Sequence, residues 1–202
     1  YNPLRYGITV KDEIKPVLTG FRVYSKNGFG ILEGGKEIAP YGVIKKGIYY
    51  KVNAIDTIKA WGAVYFGISG YDQLTGASNK NGIYRTEVYV DNELFFSCHF
   101  DSVLFKDLKY INALLDYEKY INSGVCYIQT YISENNLFQN TFSPLKGLLE
   151  VNDSRLRKIV VKAFDTKENS SELVFYVKGD STLKTKIKET VAVADSGLWF
   201  DA

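Results

Sequence analysis

Methionine is missing from the chain, histidine occurs once and cysteine twice in 202 residues. With no internal methionine and Tyr1 as first residue, the expected object is a mature form or a piece of a longer protein. One histidine and two cysteines are too few for a zinc finger, a histidine-rich catalytic metal centre or a disulfide-rich scaffold. Charge of one sign is also lacking. The 25 basic and 23 acidic residues leave a net charge of +2, which gives no general attraction to nucleic acid. No apolar run approaches the ~18 residues needed to cross a membrane. A phosphate-cradling glycine loop is absent too, because Gly28-Phe29-Gly30 and Gly34-Gly35 are not followed by a helix start.

What is present is an ordinary apolar share of 46% and an aromatic share of 15%, with 16 Tyr and 12 Phe, a composition that favours strands. The length suits one domain able to bury a core without metals or disulfides. Period-two alternation dominates. It predicts strands over residues 17–24, 48–52, 57–69, 83–90, 93–100, 124–132, 145–151, 156–164 and 172–177. Gly62 and Gly67 predict a bulge in the third of these. Asp91-Asn92 predicts a tight hairpin turn. In the last two strands, Ile159, Val161, Ala163, Leu173, Phe175 and Val177 are expected to face the core, and Lys158 and Lys162 water. Residues 28–47 read as a long loop or ragged hairpin, 72–82 and 133–144 as loops, and 184–194 as a linker strand. Leu108, Ile111, Leu114 and Leu115 recur at helical spacing and predict a short helix within 107–122. The expected class is all-β: an immunoglobulin-like antiparallel β-sandwich with a short helical insert. The expected division is a tail and linker over 1–15, the sandwich over 16–179, and a linker or new domain over 180–202.

Few residues offer chemistry. His99 alternates with Cys98 across a strand, so the two point to opposite faces and do not share an ion easily. No Gly-x-Ser-x-Gly elbow accompanies the lone histidine. Cys98 and Cys126 either bridge, in an oxidising compartment, or pack as free thiols. The loop 72–82 collects Asp72, Gln73, Ser78, Asn79 and Asn81, oxygen ligands of the kind calcium takes. It has one carboxylate and no EF-hand spacing, and Asn and Asp turn chemistry accounts for it without an ion. The turn at Asp165 reads the same way. Tyr49, Tyr50, Tyr65, Tyr71, Tyr84 and Tyr89 form either a stacking platform for sugar or peptide, or ordinary cross-strand pairs. The candidate binding-loop residues are Asp72, Asn79, Asn81, Tyr71 and Tyr84.

A wider pattern joins these pieces. Asn2-Pro3-Leu4 is followed by Asp12-x-x-x-Pro16, then Phe66-Gly67-Ile68-Ser69 with Asp72, Gly76-x-Ser78-Asn79 and Gly82-Ile83-Tyr84. Tyr110-Ile111-Asn112, Asp116-Tyr117 and the Asp165 to Phe175 hairpin come next. In order and spacing, residues 1–179 resemble the C-terminal extension of lysostaphin-type (LytM-like) zinc metallopeptidases of the Gram-negative envelope. The resemblance implies a β-sandwich that follows a peptidase domain. That family binds zinc through His-x-x-x-Asp and His-x-His, and neither motif occurs in this chain. It therefore implies a non-catalytic accessory or regulatory module of a peptidoglycan-cleaving endopeptidase. Such a module carries no cofactor; zinc belongs only to the upstream peptidase domain of the same chain. The implied setting is periplasmic or envelope-associated. Peptidoglycan or an envelope protein is a further partner, and nucleic acid and a transmembrane segment are not expected. The alternative is a stand-alone glycan- or protein-binding, adhesin-like module. The apolar end Leu198-Trp199-Phe200 is expected to pack on more chain.

Overall fold

A computed structural model describes residues 10–53 and 55–185. The Asn2-Pro3-Leu4 tail, Leu198-Trp199-Phe200 and residues 186–194 of the expected linker strand lie outside these. Among the described residues, twelve strands carry the fold: β1 (Val17–Leu32), β2 (Ile38–Tyr41), β3 (Val43–Lys46), β4 (Tyr49–Val52), β5 (Thr57–Tyr71), β6 (Arg85–Val90), β7 (Glu93–His99), β8 (Ile128–Gln129), β9 (Thr141–Phe142), β10 (Leu149–Val151), β11 (Leu156–Phe164) and β12 (Ser170–Gly179). Two short helices, α1 (Leu108–Asn112) and α2 (Tyr117–Ser123), form the insert. The class is all-β with a helical insert, as the alternation predicts.

The strands join in one hydrogen-bonded sheet, in the order β2-β1-β5-β12-β11-β6-β7-β9, with β4 and β3 attached beyond β12 and β10 and β8 beside β5. The sheet is mixed rather than purely antiparallel, because β12 runs parallel to both β4 and β5. This corrects the expectation of an all-antiparallel arrangement. Alternation marks which face of a strand is buried, but it carries no information on the direction of the neighbour.

The sheet curls over its own core, and β5 shows how. Tyr176 pairs with Thr57 at the start of β5. Phe66 lies nine residues further along, about 30 Å away on a straight strand at ~3.3 Å per residue. Yet the rings of Phe66 and Phe175 are 5.5 Å apart. The strand must bend back on itself, and the bend coincides with Gly62. There φ is +79°, and a Cβ would stand 2.1 Å from the Phe29 carbonyl oxygen. Four residues of β1, Lys26 to Phe29, stand opposite the single Ala63. A bulge of this size turns both strands together. Glycine serves here because it tolerates the left-handed backbone and the close approach at once. The predicted bulge is thus the corner of the fold.

The interior is built from the faces that period two selects. Ile159, Val161, Ala163, Leu173, Phe175 and Val177 are all buried, while Lys158 is exposed and Lys162 half-exposed. Phe21, Phe66 and Phe175 meet at its centre, with Phe21 and Phe175 4.4 Å apart. The β6–β7 hairpin turns at Asp91 and Asn92, both at positive φ, as a primed two-residue turn requires.

Four expectations about elements change. Of the two readings of residues 28–47, the ragged hairpin holds and the loop does not: β1 continues to Leu32, turns through Glu33–Gly35 and pairs antiparallel with β2, and β3 follows. The strands expected over 124–132 and 145–151 shrink to Ile128–Gln129 and Leu149–Val151. The insert is two helices rather than one, because Leu114 drops into the core and Asp116 starts the second helix by accepting the Lys119 N–H. Gly124, at φ +68°, closes that helix by donating its N–H to the Tyr120 carbonyl. Lys184 and Thr185 continue a helical turn, not the expected linker strand.

Candidate functional site

The far end of β5, the loop after it and the helical insert enclose a cavity of about 640 Å³. Its wall is mainly apolar: Ile68, Ile83, Phe100, Ile111 and Leu115 contribute to it. Polar groups enter at one side through Asp72, Asn81, Tyr84 and Thr166. A cavity of this size with a few convergent polar groups has the build of a small-ligand site.

Three of the candidate binding residues meet here. Asp72, Asn81 and Tyr84 all line the cavity. Asp72 and Asn81 pair backbone to backbone in both directions, at 2.9 and 2.8 Å, which closes the loop between them. Asn79 is exposed in that loop. Tyr71 is half-buried, with the Lys80 ammonium 4.3 Å from its ring centre. Neither Asn79 nor Tyr71 lines the cavity. The tyrosines do not form one platform: Tyr50 and Tyr84 are buried, and Tyr65 stacks on Tyr24 at 4.8 Å.

The cysteines do not bridge. Both are free, Cys98 buried in β7 and Cys126 exposed on the cavity wall. Alternation sends Cys98 into the core while Cys126 sits in the loop after α2. Burial pushes the Cys98 thiol up to about 12, so it is inert as a nucleophile. A maleimide added to the native protein is therefore expected to give a single adduct, at Cys126, and to reach Cys98 only after unfolding. Intact mass and peptide mapping check this; an absence of adducts until a reductant is added would refute it. His99 lies half-exposed in β7, paired with Arg85 in the ladder, and its backbone N–H donates to the Asn140 carbonyl.

Beside the cavity, Asp72 meets two carboxylates from distant parts of the chain. One oxygen each from Asp12, Asp72 and Asp165 lies within 4.8 Å of the others. Asp12 comes from the segment that enters β1, Asp72 from the end of β5, and Asp165 from the β11–β12 turn. Asp12 Oδ1 accepts from the backbone N–H of Ile14 and Thr75 and from Thr75 Oγ1, at 3.1, 3.1 and 3.2 Å. Asp165 Oδ1 accepts from the N–H of Lys167 and Asn169, and its Oδ2 from Asn169 Nδ2 at 2.7 Å. Burial, with the Asp165 and Asp12 charges adding to it, raises the Asp72 carboxyl to about 6 against the pull of the Gln73 N–H. Reading the sequence missed Asp12 and Asp165 as partners of Asp72. Asp72 and Asp165 sit among turn formers, which turn chemistry already explains, and Asp12, between Lys11 and Glu13, carries no signal of its own.

A second polar cluster anchors the insert. Asp116 accepts from Tyr24 Oη at 2.7 Å, Arg22 Nη1 at 2.8 Å and the Lys119 N–H at 3.0 Å. The Arg22 guanidinium also lies 4.8 Å from the Tyr127 ring centre. These contacts tie the start of α2 to β1 and so hold one wall of the cavity.

The rest of the insert shows apolar side chains to solvent. Leu104, Phe105, Leu108, Tyr117, Tyr120 and Ile121 are all exposed, Phe105 at 94% and Ile121 at 61%. Tyr117, Tyr120 and Ile121 share one face of α2 by their spacing. Comparison with protein-family models, with curated proteins and with solved structures found no match.

Proposed function

We propose that this chain is a non-catalytic accessory module that docks, through its helical insert, on a neighbouring protein domain. The setting its sequence resembles makes that neighbour the upstream catalytic domain of a peptidoglycan-cleaving zinc endopeptidase in the cell envelope, which the module positions or gates. One observation carries the reading: among the described residues, the insert and the turn leading into it expose a run of large apolar side chains, Phe105 and Ile121 foremost. Asp12, just before β1, is bonded to Thr75 in the loop beside the cavity, and Ile111 and Leu115 of the insert form the same cavity's wall. The entry segment is thus tied to the loop that lines the cavity together with the insert. Exposed apolar clusters of this kind mark interaction surfaces, and function on such scaffolds sits on the connections rather than the sheet.

The reading is tested in a product that carries the upstream reading frame. That frame is expected to contain His-x-x-x-Asp and His-x-His motifs; without them the enzymatic setting falls. Phe105→Ser with Ile121→Ser is expected to leave the module's own stability within about 0.5 kcal/mol, as at other exposed positions. It should speed proteolysis across residues 10–16 and change the rate of sacculus hydrolysis. Unchanged proteolysis and hydrolysis in the double variant would refute docking through the insert. The cavity supports a second reading, a stand-alone glycan- or protein-binding module. Saturable binding to sacculi or glycans by a product that starts near Tyr1 would favour that one.

A further inference from the structure

We propose that Asp12, Asp72 and Asp165 bind one calcium ion, which clamps the segment entering β1 to the end of the sheet. The inference rests on no part of the docking reading.

Like charges have been brought together with no cation beside them among the described residues. Asp72 is 6% exposed and Asp165 0%. Among the described residues, no Lys, Arg or His forms an ion pair with Asp12, Asp72 or Asp165. Buried carboxylates normally find a cation or fill their acceptor positions with hydrogen bonds. Here two acceptors are left over. Asp72 Oδ1 and Asp12 Oδ2 are both buried and both without a hydrogen-bond partner. The Asp72 side chain, which meets the other two carboxylates, thus offers a lone pair that no group among the described residues takes. Asp165 differs in that both its oxygens already accept bonds, from Asn169 and Lys167. Those bonds orient its carboxylate, as outer contacts do for metal ligands.

The ligand set selects the ion. It holds carboxylate oxygen only, with no His or Cys, which excludes the soft and borderline metals and favours a hard cation. Calcium–oxygen distances of about 2.3–2.6 Å place oxygens on opposite sides of the ion ~4.6–5.2 Å apart. The three oxygens lie within 4.8 Å of one another, close enough to share one such sphere. Magnesium sheds water reluctantly and demands near-ideal octahedral geometry, which suits a buried site poorly. Asp72 and Thr166, the neighbour of Asp165, both line the cavity, so an ion and its remaining water ligands have a way in. The three carboxylates come from segments far apart in the chain, so one ion would cross-link the entry segment, β5 and the β11–β12 turn.

The test is calcium titration of chelator-treated protein, by calorimetry and by thermal unfolding, with magnesium alongside. Calcium is expected to bind with a dissociation constant between about 10⁻⁵ and 10⁻³ M, the range from sensors to extracellular modules. At a hundred times that constant, it should raise the folded-to-unfolded ratio about 100-fold. Asp72→Asn keeps the shape and removes one repelling charge. This variant is expected to fold, to be at least as stable as the chelated parent, and to lose the calcium response. Asp12→Asn should weaken the response without unfolding the sheet. No saturable heat and no thermal shift up to about 10 mM calcium, beyond the range of extracellular modules, would overturn the proposal. An undiminished response in Asp72→Asn would also overturn it by placing the ion elsewhere. Equal affinity for magnesium would overturn the assignment to calcium.

Discussion

Replacing Asp116 with alanine is expected to destabilise the protein by about 3–5 kcal/mol, the range for breaking a buried ion pair by removing one partner. Arg22 and Tyr24 are mostly buried around this carboxylate. Its loss strands a guanidinium and a phenol with no acceptor, and it also removes the cap of α2. Asp116→Asn keeps the cap and the shape but removes the charge, so it should cost less, about 1.5–3 kcal/mol for hydrogen bonds to a charged group. The same cluster predicts a pH dependence. Burial alone would raise the Asp116 carboxyl, but the Tyr24 hydroxyl, the Lys119 N–H and Arg22 together hold it below its ordinary value of 3.8. Between the folded and unfolded values the unfolded chain binds more protons, so stability rises with pH there. The contribution is complete above the ordinary carboxylate range and is lost as pH falls through the lowered folded value. Denaturant midpoints measured from neutral to acid pH should show a shallower acid loss in Asp116→Asn than in the parent. Parallel profiles would show that the carboxylate carries no linked proton. An alanine variant within 1 kcal/mol of the parent, a small fraction of the expected loss, would show that the anchor is not a stabilising one.

The other large effect lies in the core. Phe175→Ala is expected to cost about 3–5 kcal/mol, the usual range for deleting a buried aromatic side chain. Phe175 is 1% exposed and touches the rings of both Phe21 and Phe66. Those two lie on β1 and β5, while Phe175 comes from β12 and reaches them only because β5 bends back. Its removal opens a cavity where the curled sheet closes on itself, so little can collapse to fill it. Urea unfolding of the variant gives the number directly. A loss under about 1.5 kcal/mol, the limit for well-tolerated core swaps, would mean that the closure is not packed as tightly as the ring distances imply. The contrast is Phe105, equally aromatic but exposed on the insert, where truncation should leave stability unchanged.

Much of this protein is written locally. Leu156 to Phe164 can be read as a strand from residue types alone, down to which side chains point inward. Asp91-Asn92 announces its turn because both residues tolerate positive φ better than most. The loop at residues 72–82 is equally plain. Other parts defeat local reading for identifiable reasons. Residues 28–47 contain enough glycine to look like loop, but those glycines serve a bulge and tight turns between strands that persist on either side. Residues 124–132 alternate like a strand, yet its strand is limited to Ile128–Gln129, because the segment divides its backbone bonds among Leu114 and Asp116 of the insert, Phe66 of β5 and Lys146. The two-helix insert was visible only as one, since the descent of Leu114 into the core is a packing event.

The sequence by itself determined the class, the inward faces of the main strands, the hairpin and the presence of a helical insert. These follow from periodicity, backbone preference and turn chemistry, all of which act within a few residues. Only the tertiary structure decided that β12 lies parallel to β5, that β5 bends until Phe66 meets Phe175, and that Cys98 and Cys126 stay apart. The gathering of Asp12, Asp72 and Asp165 belongs with these. Each aspartate alone is a turn residue with a local explanation. Their mutual repulsion and their unfilled lone pairs exist only once the folded backbone has brought three distant segments to one place.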